Sequence, residues 1–283
     1  MATPWDHAAK GYLEEWVPRF VPYHLDLIRE LALKPGQRVL VVSAGPGAEA
    51  LAASRIVGET GLVRATDTSE EMVHICAEQA RNAGLAVEAV VADAGDTTGG
   101  PWDAVVCAFG LWQIEPREPV MAAWQRALSP RGKVGIITWG PPEADDPFER
   151  LGSYLREVEP AAAARRPAIL AERDAMAKMF EEAGLAMVRH SVVRHVMSFR
   201  SAEALVRALR EACSWRRVWE RIGDERMGLV ATRFYDWVGG PDAPVTFQPP
   251  ATLALAGLPG AEVELAHRPS VRVPASVAPG SGG

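Results

Sequence analysis

The residues best placed for chemistry are two glycines and two carboxylates, each at the end of a short apolar run. Ser43-Ala44-Gly45-Pro46-Gly47-Ala48-Glu49-Ala50 follows the β-branched run Arg38 to Val42 and leads into Leu51-Ala52-Ala53. Gly45 and Gly47 permit a tight turn and close backbone approach to a ligand, while the first amides of the following helix offer donors. Asp67 closes a second run, Gly61 to Thr66, about twenty positions further on, where a carboxylate reaches ribose hydroxyls. Asp93 ends a third run, Val87 to Ala92, and is placed to accept from an adenine amine. The loop also satisfies the dinucleotide form in which alanine replaces the third glycine, so an NAD-dependent oxidoreductase is an open reading at this point.

The elements that must carry these residues alternate along the chain. Strands are expected at 38–42, 61–66, 87–92, 102–108 and 133–138, with helices after the first strand, over 70–83 and over 120–128. In an open parallel sheet, ligands sit beyond the carboxyl ends of the strands at the switch in strand order, so the loops after the first four strands should converge. Upstream, 13–33 suits one or two short amphipathic helices broken near Pro18 and Pro22. Downstream, 169–183 reads as helix and 187–198 as a sixth strand. The segment 201–238 reads as further helices and 261–273 as a final strand.

Several stretches together resemble class I S-adenosylmethionine-dependent methyltransferases, in particular the subgroup similar to ubiquinone and menaquinone biosynthesis methyltransferases. They are Trp5 to Tyr12, Val39 to Gly47, Thr66 to Met72, Ala92-Asp93-Ala94, Phe109-Gly110-Leu111-Trp112 and Leu128 to Lys133, so the resemblance spans roughly residues 5 to 200. It implies an α/β fold with a Rossmann-like seven-stranded sheet, mostly parallel with its last strand antiparallel, plus a helical lid and cap. It implies that Ser43 and Gly45 hold the methionine moiety and Asp67 the ribose. Thr68 and Met72 would flank the adenosine, Asp93 with Ala94 would meet adenine, and Tyr12 would close over the cofactor. Ala44, Gly47 and Phe109 complete the expected cofactor-binding set, with S-adenosylhomocysteine as product. The family usually has an acidic residue at position 41 and glycine at 43, where this chain has Val41 and Ser43. A member repurposed for cyclisation, rearrangement or non-catalytic binding is therefore the alternative to methyl transfer.

Methyl transfer needs chiefly an acceptor held in line and away from water, with a general base adding a factor for phenols or acidic carbons. The sequence names no such base among His7, His24, His74, His190, His195 and His267. Trp16, Trp112 and Trp139 lie in segments expected to rim the cleft, and Gln113 could orient an acceptor by hydrogen bonding. A small, mostly apolar acceptor is expected, aromatic or polyketide-like, modified by O- or C-methylation.

Composition narrows the partners. The formal net charge of −6 and the acid-interleaved cluster Arg216, Arg217 and Arg221 argue against a nucleic-acid surface. No apolar run is long enough to span a bilayer and no secretory leader is read, so a cytoplasmic protein is expected. Cys76, Cys107 and Cys213 lack the spacing of a disulfide framework or metal site. The whole chain, 1–283, is expected to be a single methyltransferase domain: an N-terminal helical lid (1–34), a cofactor-binding core (35–140), a helical cap insertion (199–258) and a flexible tail (274–283). Its oligomeric state is not legible.

Overall fold

Arg38–Val42 forms β1, whose successive side chains are buried on opposite faces of the sheet, as a central strand with helices over both faces requires. A computed structural model describes residues 3–160, 170–212 and 215–266. Beside β1 lie β2 (Leu62–Asp67), β3 (Glu88–Val91), β4 (Trp102–Ala108) and β5 (Leu128–Trp139). Later in the chain come β6 (Ala186–Arg194), β7 (Met197–Phe199), β8 (Val245–Phe247) and β9 (Pro250–Gly257). The main sheet has seven strands in the order β3-β2-β1-β4-β5-β9-β6, while β7 and β8 pair in a separate ribbon. The strands from β3 to β5 pair in parallel, and β9 runs antiparallel to both β5 and β6. The expected α/β sheet with an antiparallel last strand is thus present.

Helices α2 (Val17–Glu30), α3 (Ala48–Val57) and α4 (Glu70–Asn82) cover one face, and α5 (Arg117–Ala127) and α7 (Arg173–Glu182) cover the other. Helix α1 (Pro4–Gly11) and a π-helical turn, Tyr12–Trp16, precede α2. The remaining helices, α6 (Pro147–Val158), α8 (Ala202–Ala212), α9 (Trp215–Ile222) and α10 (Asp224–Val238), form an added layer. The indole N–H of Trp16 joins that layer to the core by donating to the Ala208 carbonyl at 3.2 Å. Tyr23 of α2 is tied to the loop before β9, its hydroxyl donating to the Pro249 carbonyl at 2.7 Å.

Four local expectations change. The last strand is β9 at Pro250–Gly257, inside what was expected to be the cap insertion of 199–258, and residues 261–266 form no strand. Every residue of β9 is buried, so its composition is small and apolar without the alternation that marks a half-exposed strand. The rest of the expected 261–273 strand and the 274–283 tail lie outside the described residues, as do His267 and Cys213. Helix α2 continues through Pro22, because Pro18 occupies the first turn and the buried stripe of Phe20, Tyr23, His24, Leu27 and Ile28 outweighs one missing donor. The expected sixth strand divides into β6 and β7, and α5 begins at Arg117, ahead of the expected Val120.

Candidate functional site

The turn after β1 is built around backbone that only some residues tolerate. Ser43 sits at φ 50° and Gly45 at φ 51°, and Gly47, the N-cap of α3, at φ 90°. At Gly47 a side chain would also collide with Cys76, whose Sγ stands 2.4 Å from the position a Cβ would take. Ser43 carries a side chain in the left-handed region, a conformation in which glycine is less strained.

Asp67 locks this turn to the end of β2. Its Oδ2 accepts from the Gly45 amide and its Oδ1 from the Ser69 amide, both at 2.9 Å. Each oxygen keeps a further lone pair, the arrangement that a vicinal diol could satisfy. Burial pushes the Asp67 carboxyl above the usual carboxylate range, while the amides of Ser69, Gly45 and Thr68 act the other way. Thr68 is exposed beside it, and Met72 is buried one turn into α4 with its sulfur facing Gly45. Ala44 donates to the Thr66 carbonyl and Ala92 to that of Asp67, so the loops after β1, β2 and β3 are joined through their backbones. In the last of these loops, Asp93 is exposed and accepts from the Gly95 amide at 2.8 Å. Ala94 is buried, its carbonyl accepting the Trp124 indole N–H at 2.6 Å.

Helix α1 lies across these loops. Asp6 accepts from the Ser69 hydroxyl at 2.5 Å and the Glu71 amide at 3.2 Å, which places its carboxylate at the N-terminus of α4. Slight burial works against these hydrogen bonds, yet with those from Thr3 they hold the Asp6 carboxyl down at about 2. Tyr12 packs beside Met72 and Ile75 and meets the Trp5 ring edge-on at 5.6 Å. Gln113 is exposed and accepts from the Trp5 indole N–H at 2.7 Å.

Not all the expected aromatic contacts rim the cleft. Phe109 (φ 51°) is buried against Phe20, with ring centroids 4.8 Å apart, and against Trp139 at 5.0 Å. Trp16 is buried within the same aromatic cluster, next to Phe20, Phe148 and Phe199. Trp139 is partly buried there, whereas Trp112 packs on the opposite face of the sheet. The structure therefore brings Tyr12, Ser43, Ala44, Gly45, Gly47, Asp67, Thr68 and Met72 together, and draws Trp16 and Phe109 into the core.

Two buried polar residues beside the turn were absent from the expected cofactor set. Glu49, in the first turn of α3, is 3% exposed, and its Oε1 lies 3.6 Å from Nε2 of His24, itself 5% exposed. Burial pushes Glu49 up to about 8, reinforced by the charge of Asp67 and opposed by its own amide, while burial pulls His24 down to about 3. Burial thus disfavours the charged form of each. The signal was present in the spacing: Glu49 shares a helical face with buried Ala53 and Val57, and His24 lies on the stripe through Phe20, Leu27, Ile28 and Leu31.

Among the described residues, no group of three or more His, Cys, Asp or Glu could hold a metal, and no helix is long and apolar enough to cross a membrane. His195 is tied to Asp26 at 2.7 Å, His7 and His74 are exposed, and the Nε2 of His190 is buried without a partner.

The strand order, with β9 inserted beside β5, and the glycine turn locked by Asp67 define the fold of class I S-adenosylmethionine-dependent methyltransferases, which this chain resembles. Residues 39–132 match the family described as methyltransferase domain. Among curated proteins, the chain is similar to the ubiquinone/menaquinone biosynthesis C-methyltransferase UbiE of Ralstonia pickettii. The two are 31% identical over 122 residues, covering 41% of this chain and 50% of the relative. The chain thus spans about half the length of the first curated relatives it matches. Among solved structures, a SAM dependent methyltransferase from Aquifex aeolicus aligns at TM-score 0.52 and 23% identity, covering 65% of this chain and 90% of that one. The [4+2]-cyclase SpnF aligns at TM-score 0.55 and 17% identity, covering 86% and 83%.

Proposed function

We propose that the protein binds S-adenosylmethionine at the ends of β1, β2 and β3 and transfers its methyl group to a small-molecule acceptor in the cytoplasm. The observation that carries this reading is the Asp67 carboxylate, held by the Gly45 and Ser69 amides where the ends of β1 and β2 meet. Asp67 would hold the ribose, the Ser43-to-Gly47 turn the methionine end, and Thr68, Met72, Asp93 and Ala94 the adenine side. Tyr12, on the turn after α1, would cover the bound nucleoside. When bound, the sulfonium supplies an activated methyl group, and the protein's part is to orient an acceptor and exclude water. Trp139 and Gln113 are the acceptor contacts we favour, because Trp139 ends β5 and Gln113 follows β4, both at this side of the sheet. The acceptor class we infer is a small aromatic or polyketide-like molecule, methylated on oxygen or carbon.

A second reading, a methyltransferase fold turned to cyclisation or to binding alone, is favoured by one observation. Val41 is a fully buried apolar residue at the position where the family resemblance implies an acid. The similarity to a cyclase of the same fold fits that reading. Calorimetric titration with S-adenosylmethionine, S-adenosylhomocysteine and NAD tests the first proposal, and binding of NAD alone overturns it. Mass analysis with methyl-labelled cofactor and candidate acceptors separates the two readings: a labelled product supports transfer, whereas a converted acceptor without added label supports repurposing.

A further inference from the structure

Asp6 serves two helices at once. Its Oδ2 accepts from the Thr3 amide, and from the Thr3 hydroxyl at 3.0 Å, which closes the N-terminus of α1. Its Oδ1 faces α4, accepting from the Ser69 hydroxyl at 2.5 Å and the Glu71 amide at 3.2 Å. Ser69 is fully buried and caps α4, its hydroxyl accepting the Met72 amide at 3.2 Å. The hydroxyl proton is thereby committed to Asp6 and a lone pair to the helix. The amide of the same residue donates to Oδ1 of Asp67, whose Oδ2 holds the Gly45 amide. A continuous chain of hydrogen bonds thus runs from α1 through Ser69 and Asp67 to the glycine turn after β1. The buried apolar contact between α1 and α4 is small: Ala9 meets Met72 and Ile75 in a cluster apart from the two large ones. Beyond α1 the chain continues through the π-helical turn Tyr12–Trp16. With so little apolar surface shared, the seating of α1 on α4 depends on the two bonds that Asp6 accepts from Ser69 and Glu71.

We propose that Asp6 is a positioning residue for the nucleoside site: by holding Ser69 it aims the Ser69 amide at Asp67 and keeps that carboxylate turned toward the ribose. Cofactor affinity then depends on α1 being seated on α4. The inference rests on the cofactor reading above and deepens it, since Asp67 is the ribose contact there. Asp6 acts as a hydrogen-bond acceptor on Ser69 and touches no ligand. Its effect therefore falls on the ribose, which S-adenosylmethionine and S-adenosylhomocysteine share.

The test is calorimetric titration of the intact protein with each of the two ligands, on wild type, Asp6→Ala, Asp6→Asn, Ser69→Ala and the double variant Asp6→Ala with Ser69→Ala. Asp6→Ala should weaken both ligands equally, by about tenfold, the worth of roughly one hydrogen bond. Asp6→Asn keeps an oxygen that accepts from the Ser69 hydroxyl and should stay within about threefold of wild type. Ser69→Ala keeps the amide to Asp67 but loses the hydroxyl, and should weaken binding as Asp6→Ala does. In the double variant the losses should not add, because Asp6 acts through the hydroxyl that is already gone. Wild-type affinity in Asp6→Ala, an Asp6→Asn as weak as Asp6→Ala, or losses that add in the double variant each overturn the positioning role and leave the cofactor reading intact. If neither ligand binds wild type, the cofactor reading falls and the positioning role with it.

Discussion

The indole N–H of Trp5 donates to Oε1 of Gln113 at 2.7 Å, joining the first helix to the turn after β4 across 108 residues of sequence. With Asp6 bound to Ser69 and Glu71, this fastens α1 over the loop ends at two places. An exposed hydrogen bond contributes little to global stability, so Trp5→Phe should change it by less than about 1 kcal/mol. Residues 4–16 should nevertheless exchange their amide hydrogens faster. Exchange measured by mass spectrometry checks this, and unchanged protection there would show that the indole bond does not hold the helix down.

Asp67→Asn replaces one of two acceptor oxygens with a donor that must face a backbone N–H. The substitution should cost roughly 1–2 kcal/mol in urea unfolding, the penalty of an unsatisfied, partly buried amide. It should also weaken S-adenosylmethionine binding by about tenfold or more, since a charge-assisted acceptor is lost. Unaltered affinity would remove Asp67 from the ribose contact.

Gly110 and Ser43 press the β4 and β1 loops together. A Cβ on Gly110 would come within 2.5 Å of the Ser43 Cβ, too close for any real side chain. Gly110→Ala should therefore destabilise by about 1–3 kcal/mol. Ser43→Gly alone should stabilise by up to about 1 kcal/mol, because it relieves a left-handed residue. When Gly110→Ala is combined with Ser43→Gly, the cost of the added methyl group should largely disappear, and a thermal-unfolding double-mutant cycle measures that coupling.

The His24–Glu49 pair sets a stability optimum on the acid side of neutrality. His24 is depressed to about 3, so its contribution is full above the unfolded value of 6.5 and is lost as pH falls toward 3. Glu49 is raised to about 8, so its contribution is full below the unfolded value of 4.5 and is lost as pH rises through 8. Together they place the maximum between the two unfolded values. Glu49→Gln should abolish the alkaline decline attributable to this residue and stabilise the protein at pH 8.5 by roughly 2–4 kcal/mol relative to wild type. Melting temperatures of both proteins from pH 4 to pH 9 provide the check.

The five strands from β1 to β5 were legible because each contains a short apolar run bounded by glycine, proline or aspartate, and the proposed site residues stood out because they end those runs. What escaped reading depended on long-range packing. Strand β9 gives no alternation because both its faces are covered, and α2 passes through Pro22 because a buried stripe compensates for one lost bond. Trp16 and Phe109 carry the right residue type for a ligand contact, but neighbouring aromatic rings enclose them. Glu49 and His24 lay in helical stripes that read as core, and only their meeting across α2 and α3 makes them a buried polar pair.

The place of β9 has a consequence for how the chain reaches its native state during synthesis. β6 meets the rest of the sheet only through β9, which leaves the ribosome more than fifty residues after it. Until residue 257 has emerged, β5 and β6 each present a bare edge of unpaired amides and carbonyls. The nascent protein thus carries two open sheet edges from the emergence of β6 until β9 follows, and completion of the sheet waits on that segment.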